Sequence, residues 1–238
     1  MGGRSYFRGK WKTILYDKHV FRDHLMVDDF DNVARVLIDG IKVIFTKGDY
    51  ISIFGFLQYV LRHPDCPYEF SNKLSWALQR SGAAYSILDG KTIVPISSEF
   101  DKGTLEKAFA DLAAKEFHGA RSHLRVSASH LTEGKFADSI RESMHAVESV
   151  ARVIAPSNSF RESLIKLEKS WDIHGALKRG FLNLYGYTSD EQGLRHPLVD
   201  DPQAKVDEAD AMFMMGACAS LVSYIINKAR GAGLLAAK

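Results

Sequence analysis

The chain has 238 residues, 46% of them hydrophobic and 25% charged, with 31 basic against 29 acidic side chains and a formal net charge of +2. That length can hold one large domain or two small ones, and the composition excludes a disordered or fibrous chain. The near balance of charge excludes a protein that coats nucleic acid over its whole surface, while leaving room for a local basic face.

The two cysteines, Cys66 and Cys218, are too few for a disulfide framework or a four-ligand zinc site. Cys66 sits in a turn-like His63-Pro64-Asp65-Cys66-Pro67 stretch and Cys218 in an apolar helical run. Both read as structural thiols, which suits a reducing, cytoplasmic setting. The first residues carry charge but no apolar core segment, so they do not read as a secretory leader. No run approaches the roughly 18 uninterrupted apolar residues of a membrane span, and no membrane contact is expected.

In chain order, residues 28–47 predict an amphipathic helix, with Val33, Leu37, Ile41 and Ile44 at spacings of three and four and Asp28 and Asp29 at its start. A second apolar segment, 50–62, ends at His63-Pro64, because the residue before proline is pushed out of helical geometry. A third helix, about 68–80, carries Phe70, Leu74 and Trp76 and stops at Ser81-Gly82. The period then changes. Residues 83–96 show two β-prone runs around Asp89-Gly90, a pair suited to the positive φ angles of a tight hairpin turn, and Pro95 marks an edge strand.

From 101 onward the pattern is helical again. Residues 101–131 predict one long helix, followed by helices at 136–154, 159–171, 173–186 and 205–229. Met212, Met215, Ala219, Val222 and Ile226 form the apolar stripe of the last. Between the last two lies a break, 184–203, containing Gly186, Gly193, Pro197 and Pro202. Breaks of that length inside a compact bundle are often functional. The expectation is a mainly α fold: an N-terminal helical module over 1–100 with its hairpin at 83–96, then a helical bundle over 101–238.

No phosphate-binding glycine loop, nucleophile elbow, zinc-protease motif or dinucleotide fingerprint occurs. His123 and His130 are seven apart with no carboxylate at ligand spacing, so they read as exposed polar residues and no metal is assigned. Arg121 and Arg125 lie on one helical face, as a solvated flank or as a ridge for phosphates. Arg141 and His145, also four apart, can reach one phosphate together or pair with the acids of their own helix, Glu142 among them. Arg195 and His196 sit in the polar break beside Asp190, Glu191, Asp200 and Asp201. Either Arg195 ties that break down through the carboxylates, or the pair is chemical, a fixed guanidinium charge next to a proton carrier.

The segments DSIRESMHAVESVARVI (138–154), SFRESLIKLEK (159–169), IHGALKRGFLNLYGYTSDEQGLRH (173–196) and EADAMFMMGACASLVSYI (208–225) carry a resemblance. Over about 117–230 the chain resembles the AbiJ N-terminal domain family numbered four, associated with abortive infection in bacterial defence against phage. The C-terminal part is similar to the HEPN superfamily of helical bundles, which often dimerise and include many metal-independent RNases. The resemblance implies an Arg, a polar residue, three variable residues and a His near the start of the last long helix. Arg195 and His196 fit the first two positions, and Asp200 stands where the His is expected. It further implies RNA as substrate or ligand and a homodimer, with no cofactor. A phage-derived trigger or a defence-system protein is the implied partner. Arg195, His196 and Glu142 are then the catalytic candidates, and Arg121, Arg125, Arg141 and His145 the phosphate-binding ones. The alternative is a non-catalytic HEPN-like scaffold or sensor.

Overall fold

The computed structural model describes residues 5–96, 99–189 and 206–236. The described chain is mainly α, with one two-stranded antiparallel hairpin. It divides into two compact units, Met1–Ala83 with Asp89–Ile93, and Ala84–Leu88 with Val94–Lys238.

The first unit holds α1 (Lys10–Asp17), α2 (Ala34–Lys47), α3 (Tyr50–Arg62) and α4 (Phe70–Arg80). Its core is small: Ile14, Leu15, Phe56 and Val60, with Trp11, Phe30, Leu37 and Ile41 packed around them. Helix α3 begins where Asp49 accepts a hydrogen bond from the Ser52 amide at 2.8 Å and ends before Pro64, as its sequence predicts. His63 then links elements: the Asp65 amide donates to its Nδ1 at 3.0 Å, so Nε2 carries the proton and donates to Asp17 at 3.0 Å.

Helix α2 begins at Ala34, six residues later than the periodicity of 28–47 predicts. The Ala34 amide bonds to Ser5 O at 2.8 Å and the Phe7 amide to Asn32 O at 3.2 Å, so residues 32–34 are extended against the start of the chain. A backbone bonded outward there cannot also open a helix. Asp28 and Asp29 instead lie in a short 3₁₀ turn. Trp76, expected on the apolar side of α4, is 62% exposed and stacks under the Arg80 guanidinium.

The hairpin pairs β1 (Tyr85–Leu88) with β2 (Thr92–Pro95). Asp89 and Gly90 take φ angles of 58° and 68°, the left-handed pair that the Asp-Gly dipeptide predicts. Pro95 ends β2 in a sheet of two strands, where a missing donor costs no ladder bond on the outer side.

The second unit is built from α5 (Glu99–Asp111), α6 (His118–Thr132), α7 (Phe136–Ile154), α8 (Phe160–Leu167), α9 (Gly175–Ser189) and α10 (Glu208–Gly231). The expected single helix over 101–131 is two helices, separated by a 3₁₀ turn at Lys115–Phe117. Leu105, Ala108 and Phe109 define the buried stripe of α5, with Leu112 directly after its end, and Ala120, Leu124, Ala128 and Leu131 that of α6. Projected at about 100° per residue, the second stripe falls roughly a quarter turn from the first, so one straight helix cannot bury both. The break re-aims the chain.

Helix α7 covers the span predicted for it, and α10 packs against α5, α6 and α7. Asp207 opens α10 with a reciprocal capping box to Asp210. In its stripe Met215, Ala219, Val222 and Ile226 are buried and Met212 partly so. By length and composition α10 is apolar enough to cross a membrane, contrary to the reading of the sequence. Its apolar face is spent on the bundle: Ala211, Met214, Cys218 and Ile225 are buried too. Burial pushes the Cys218 thiol up to about 12, so it stays protonated and inert.

Candidate functional site

A compact group of titratable side chains lies on the α6–α7 hairpin. The loop joining the two helices is Glu133-Gly134-Lys135, where Gly134 has φ 71°. The Lys135 amide bonds to His130 O at 2.8 Å and the Gly134 amide to Leu131 O at 3.2 Å, a Schellman closure that needs a glycine at that point. So short a loop lays α7 antiparallel against α6. Small side chains let the helices approach. Ser127 Oγ lies 2.6 Å from Ser143 Oγ and 3.2 Å from Ser139 Oγ, all three fully buried, and a Cβ on Gly119 would meet Ser149 Oγ at 3.3 Å.

One turn from that serine cluster, the same register sets His123 beside Glu142 and His145. His123 Nδ1 is 2.7 Å from Glu142 Oε2, and His145 Nδ1 is 3.6 Å from Glu142 Oε1. The two imidazole rings meet edge to face with centroids 5.4 Å apart. The side chains are half-buried, 40%, 24% and 43% exposed for His123, Glu142 and His145. One carboxylate thus hydrogen-bonds an imidazole on the facing helix and stands close to a second on its own.

The residues expected from the sequence fall into separate places. Glu142 and His145 are brought together, whereas Arg141, expected to share a phosphate with His145, sends Nη2 to Asp138 at 2.5 Å. Arg121 and Arg125 lie on one flank of α6, half-buried. His123, between them in sequence, is about 200° round the helix from Arg121 and faces the other flank. Arg195, His196 and Asp200 lie outside the described residues.

His123 is the member of the cluster that the linear pattern misses. Its carboxylate is not at a ligand spacing on its own helix; it arrives from α7 across the hairpin. The loop glycine and the serines at 127, 139 and 143 carry the register, which a spacing rule for a single helix does not include.

Elsewhere among the described residues, a groove of about 540 Å³ runs along α5 and α10, lined by Leu105, Met212, Phe213 and Ser220, with Asp101 as its charged group. It has no convergent set of catalytic side chains.

No family model, curated protein or solved structure matches this chain.

Two imidazoles on a shared carboxylate can exchange protons, bind an anion when protonated, or offer nitrogen and oxygen lone pairs to a cation when neutral.

Proposed function

We propose that the chain is a HEPN-like effector of bacterial anti-phage defence, a cytoplasmic homodimer that cleaves RNA without a metal. The observation that carries this reading is the start of α10. The Asp207 capping box opens the last long helix directly after the segment that bears Arg195 and His196. The resemblance asks for its Arg-polar pair near that point. The helical bundle of the second unit's described residues supports the same reading.

In this mechanism a base takes the proton of a ribose 2′-OH, which attacks the adjacent phosphorus. Arg195 stabilises the charge on the non-bridging oxygens, and an acid protonates the departing 5′-oxygen. His196 is the proton carrier in each protomer, and a symmetric dimer brings two copies together. Arg121 and Arg125 supply fixed positive charge for backbone phosphates along one flank of α6.

Cleavage of total RNA by the purified chain should persist in excess EDTA and leave 2′,3′-cyclic phosphate ends, since the substrate's own 2′-OH is the nucleophile. Ends bearing 5′-phosphate and 3′-hydroxyl, or activity abolished by EDTA, would contradict it. Light scattering at micromolar protein should give twice the mass of 26.6 kDa; a monomer mass counts against the shared site.

Asp200 in place of the expected His favours a second reading, a non-catalytic scaffold that binds RNA or a defence-system partner or senses a phage component. It predicts RNA binding with no cleavage under any of these conditions.

A further inference from the structure

We infer that His123, Glu142 and His145 form a binding site for a borderline transition-metal dication of the zinc, cobalt or nickel type, which staples α6 to α7. This inference concerns a different group of residues from Arg195 and His196 and does not rest on the RNase reading.

The donor set points to that class of ion. Two imidazole nitrogens and one carboxylate oxygen suit zinc and its neighbours, whereas magnesium and calcium prefer all-oxygen shells. The arrangement on the helices is also one that metals use. Glu142 and His145 are an i, i+3 Glu-x-x-His pair, the spacing by which helical bundles present a carboxylate and an imidazole to one ion. His123 comes from the facing helix, so one ligand set closes across the hairpin. One donor atom from each residue lies within 4.8 Å of the other two. Tetrahedral zinc holds its ligands about 2.0–2.2 Å from the metal, hence roughly 3.3 Å from one another. His123 and Glu142, at 2.7 Å, need to open slightly, and His145 needs to close. Side chains with this much exposure can make such adjustments by small rotations.

The two imidazoles are not held alike. His123 makes a short contact with Oε2, but His145 stands 3.6 Å from Oε1, beyond hydrogen-bond range. A dication placed among the three satisfies both imidazoles and neutralises the carboxylate together. The scaffold behind the site is already fixed, because the buried Ser127, Ser139 and Ser143 hydroxyls hold the helix register one turn away. The partial exposure of all three ligands leaves at least one coordination position to water.

The test is titration of the metal-stripped full chain with zinc, cobalt and nickel salts by calorimetry, with cobalt absorbance reporting the ligand field. One ion per chain should bind, cobalt should develop visible bands of nitrogen–oxygen coordination, and zinc should raise the melting temperature. His123→Ala, His145→Ala and Glu142→Gln should each weaken binding by about 100-fold or more, beyond the 10–100-fold cost of losing an outer-shell partner. His118→Ala, an exposed histidine on the same helix, should leave it unchanged. Because the three ligand positions are surface-accessible, circular dichroism of the variants should match the parent, which separates lost binding from lost folding. The site is refuted if binding survives all three ligand variants, if it is lost in His118→Ala, or if magnesium binds as tightly as zinc. Glu142→Gln lowering the melting temperature equally with and without zinc also refutes it, since the cluster is then an ion pair alone. RNA cleavage is read separately in EDTA, so failure of either proposal is visible without the other.

Discussion

Arg195→Ala and His196→Ala should each slow RNA cleavage by about 10²–10⁴-fold, the usual cost of losing a charge stabiliser or a general acid–base. At 1.36 kcal/mol per tenfold, that is about 3–5 kcal/mol of transition-state stabilisation. Arg195→Lys should recover only part of it. Lysine keeps the charge but presents a single compact ammonium, whereas the guanidinium grips two phosphate oxygens at once. Unfolding free energy should stay within about 1 kcal/mol in each variant, because a residue that acts only in catalysis adds little to folding. Single-turnover cleavage of a labelled RNA and a urea melt on the same preparations measure both. Unchanged cleavage with a sharply lowered melt would instead make Arg195 a clamp on the neighbouring carboxylates, and the scaffold reading would stand.

Where the sequence was legible, local chemistry and tertiary packing agreed. Pro64 after 50–62 and Asp89-Gly90 between two β-prone runs each dictate backbone geometry within a few residues, and the structure has those features, whereas the Asp49 cap of α3 was not singled out in the sequence. Helix α7 is legible for a related reason. Its stripe of Ile140, Met144, Val147 and Val150-Ala151 stays in phase over the whole helix, so periodicity alone sets its span. Helices α5 and α6 defeat the same reasoning. Each is periodic, but the two stripes are out of phase, and a run of apolar residues does not reveal that shift unless the phase is followed. The late start of α2 is a long-range effect, since the groups that hold residues 32–34 extended belong to residues 5–7.

The candidate cluster divides in the same way. His145 stood out because it lies four residues after Arg141 on one helix, and Glu142 as an acid of that same helix. His123 did not, because its partners lie across a turn whose register depends on Gly134 adopting a positive φ. Contacts between helices are set by loop length and by the size of the residues at the interface, and neither appears in a spacing rule written for one helix. Followed through the loop, the buried serines at 127, 139 and 143 align the helices and bring 123 opposite 142.

Asp111→Ala should destabilise the second unit by about 3 kcal/mol at pH 7, the low end of the cost of breaking a buried ion pair. Asp111 closes the last turn of α5 and is 4% exposed. Its Oδ1 accepts from Arg230 Nη1 at 2.9 Å, and its Oδ2 from Lys107 Nζ at 2.8 Å and Asn227 Nδ2 at 3.3 Å. These donors converge on one carboxylate, with Arg230 and Asn227 from the C-terminal end of α10. Removing the carboxylate leaves the Arg230 guanidinium, 17% exposed, without its charged partner, whereas Lys107, 57% exposed, is readily solvated. The loss should therefore come mainly from Arg230. Burial by itself pushes the Asp111 carboxyl up, but the Lys107 and Arg230 donors outweigh it and hold it below the ordinary carboxylate value. A carboxyl lowered in the folded state binds protons more readily when unfolded. Its stabilisation is then complete above the unfolded pKa of about 3.9 and disappears as pH falls through the folded value. The gap between parent and Asp111→Ala should be full at pH 7 and narrow steadily below about pH 4. Asp111→Asn, which keeps the shape and one acceptor, should fall between the two at pH 7. Urea unfolding across that pH range decides it: a gap as wide at low pH as at neutrality would mean that the site depends on packing, and that the charge of Asp111 contributes nothing.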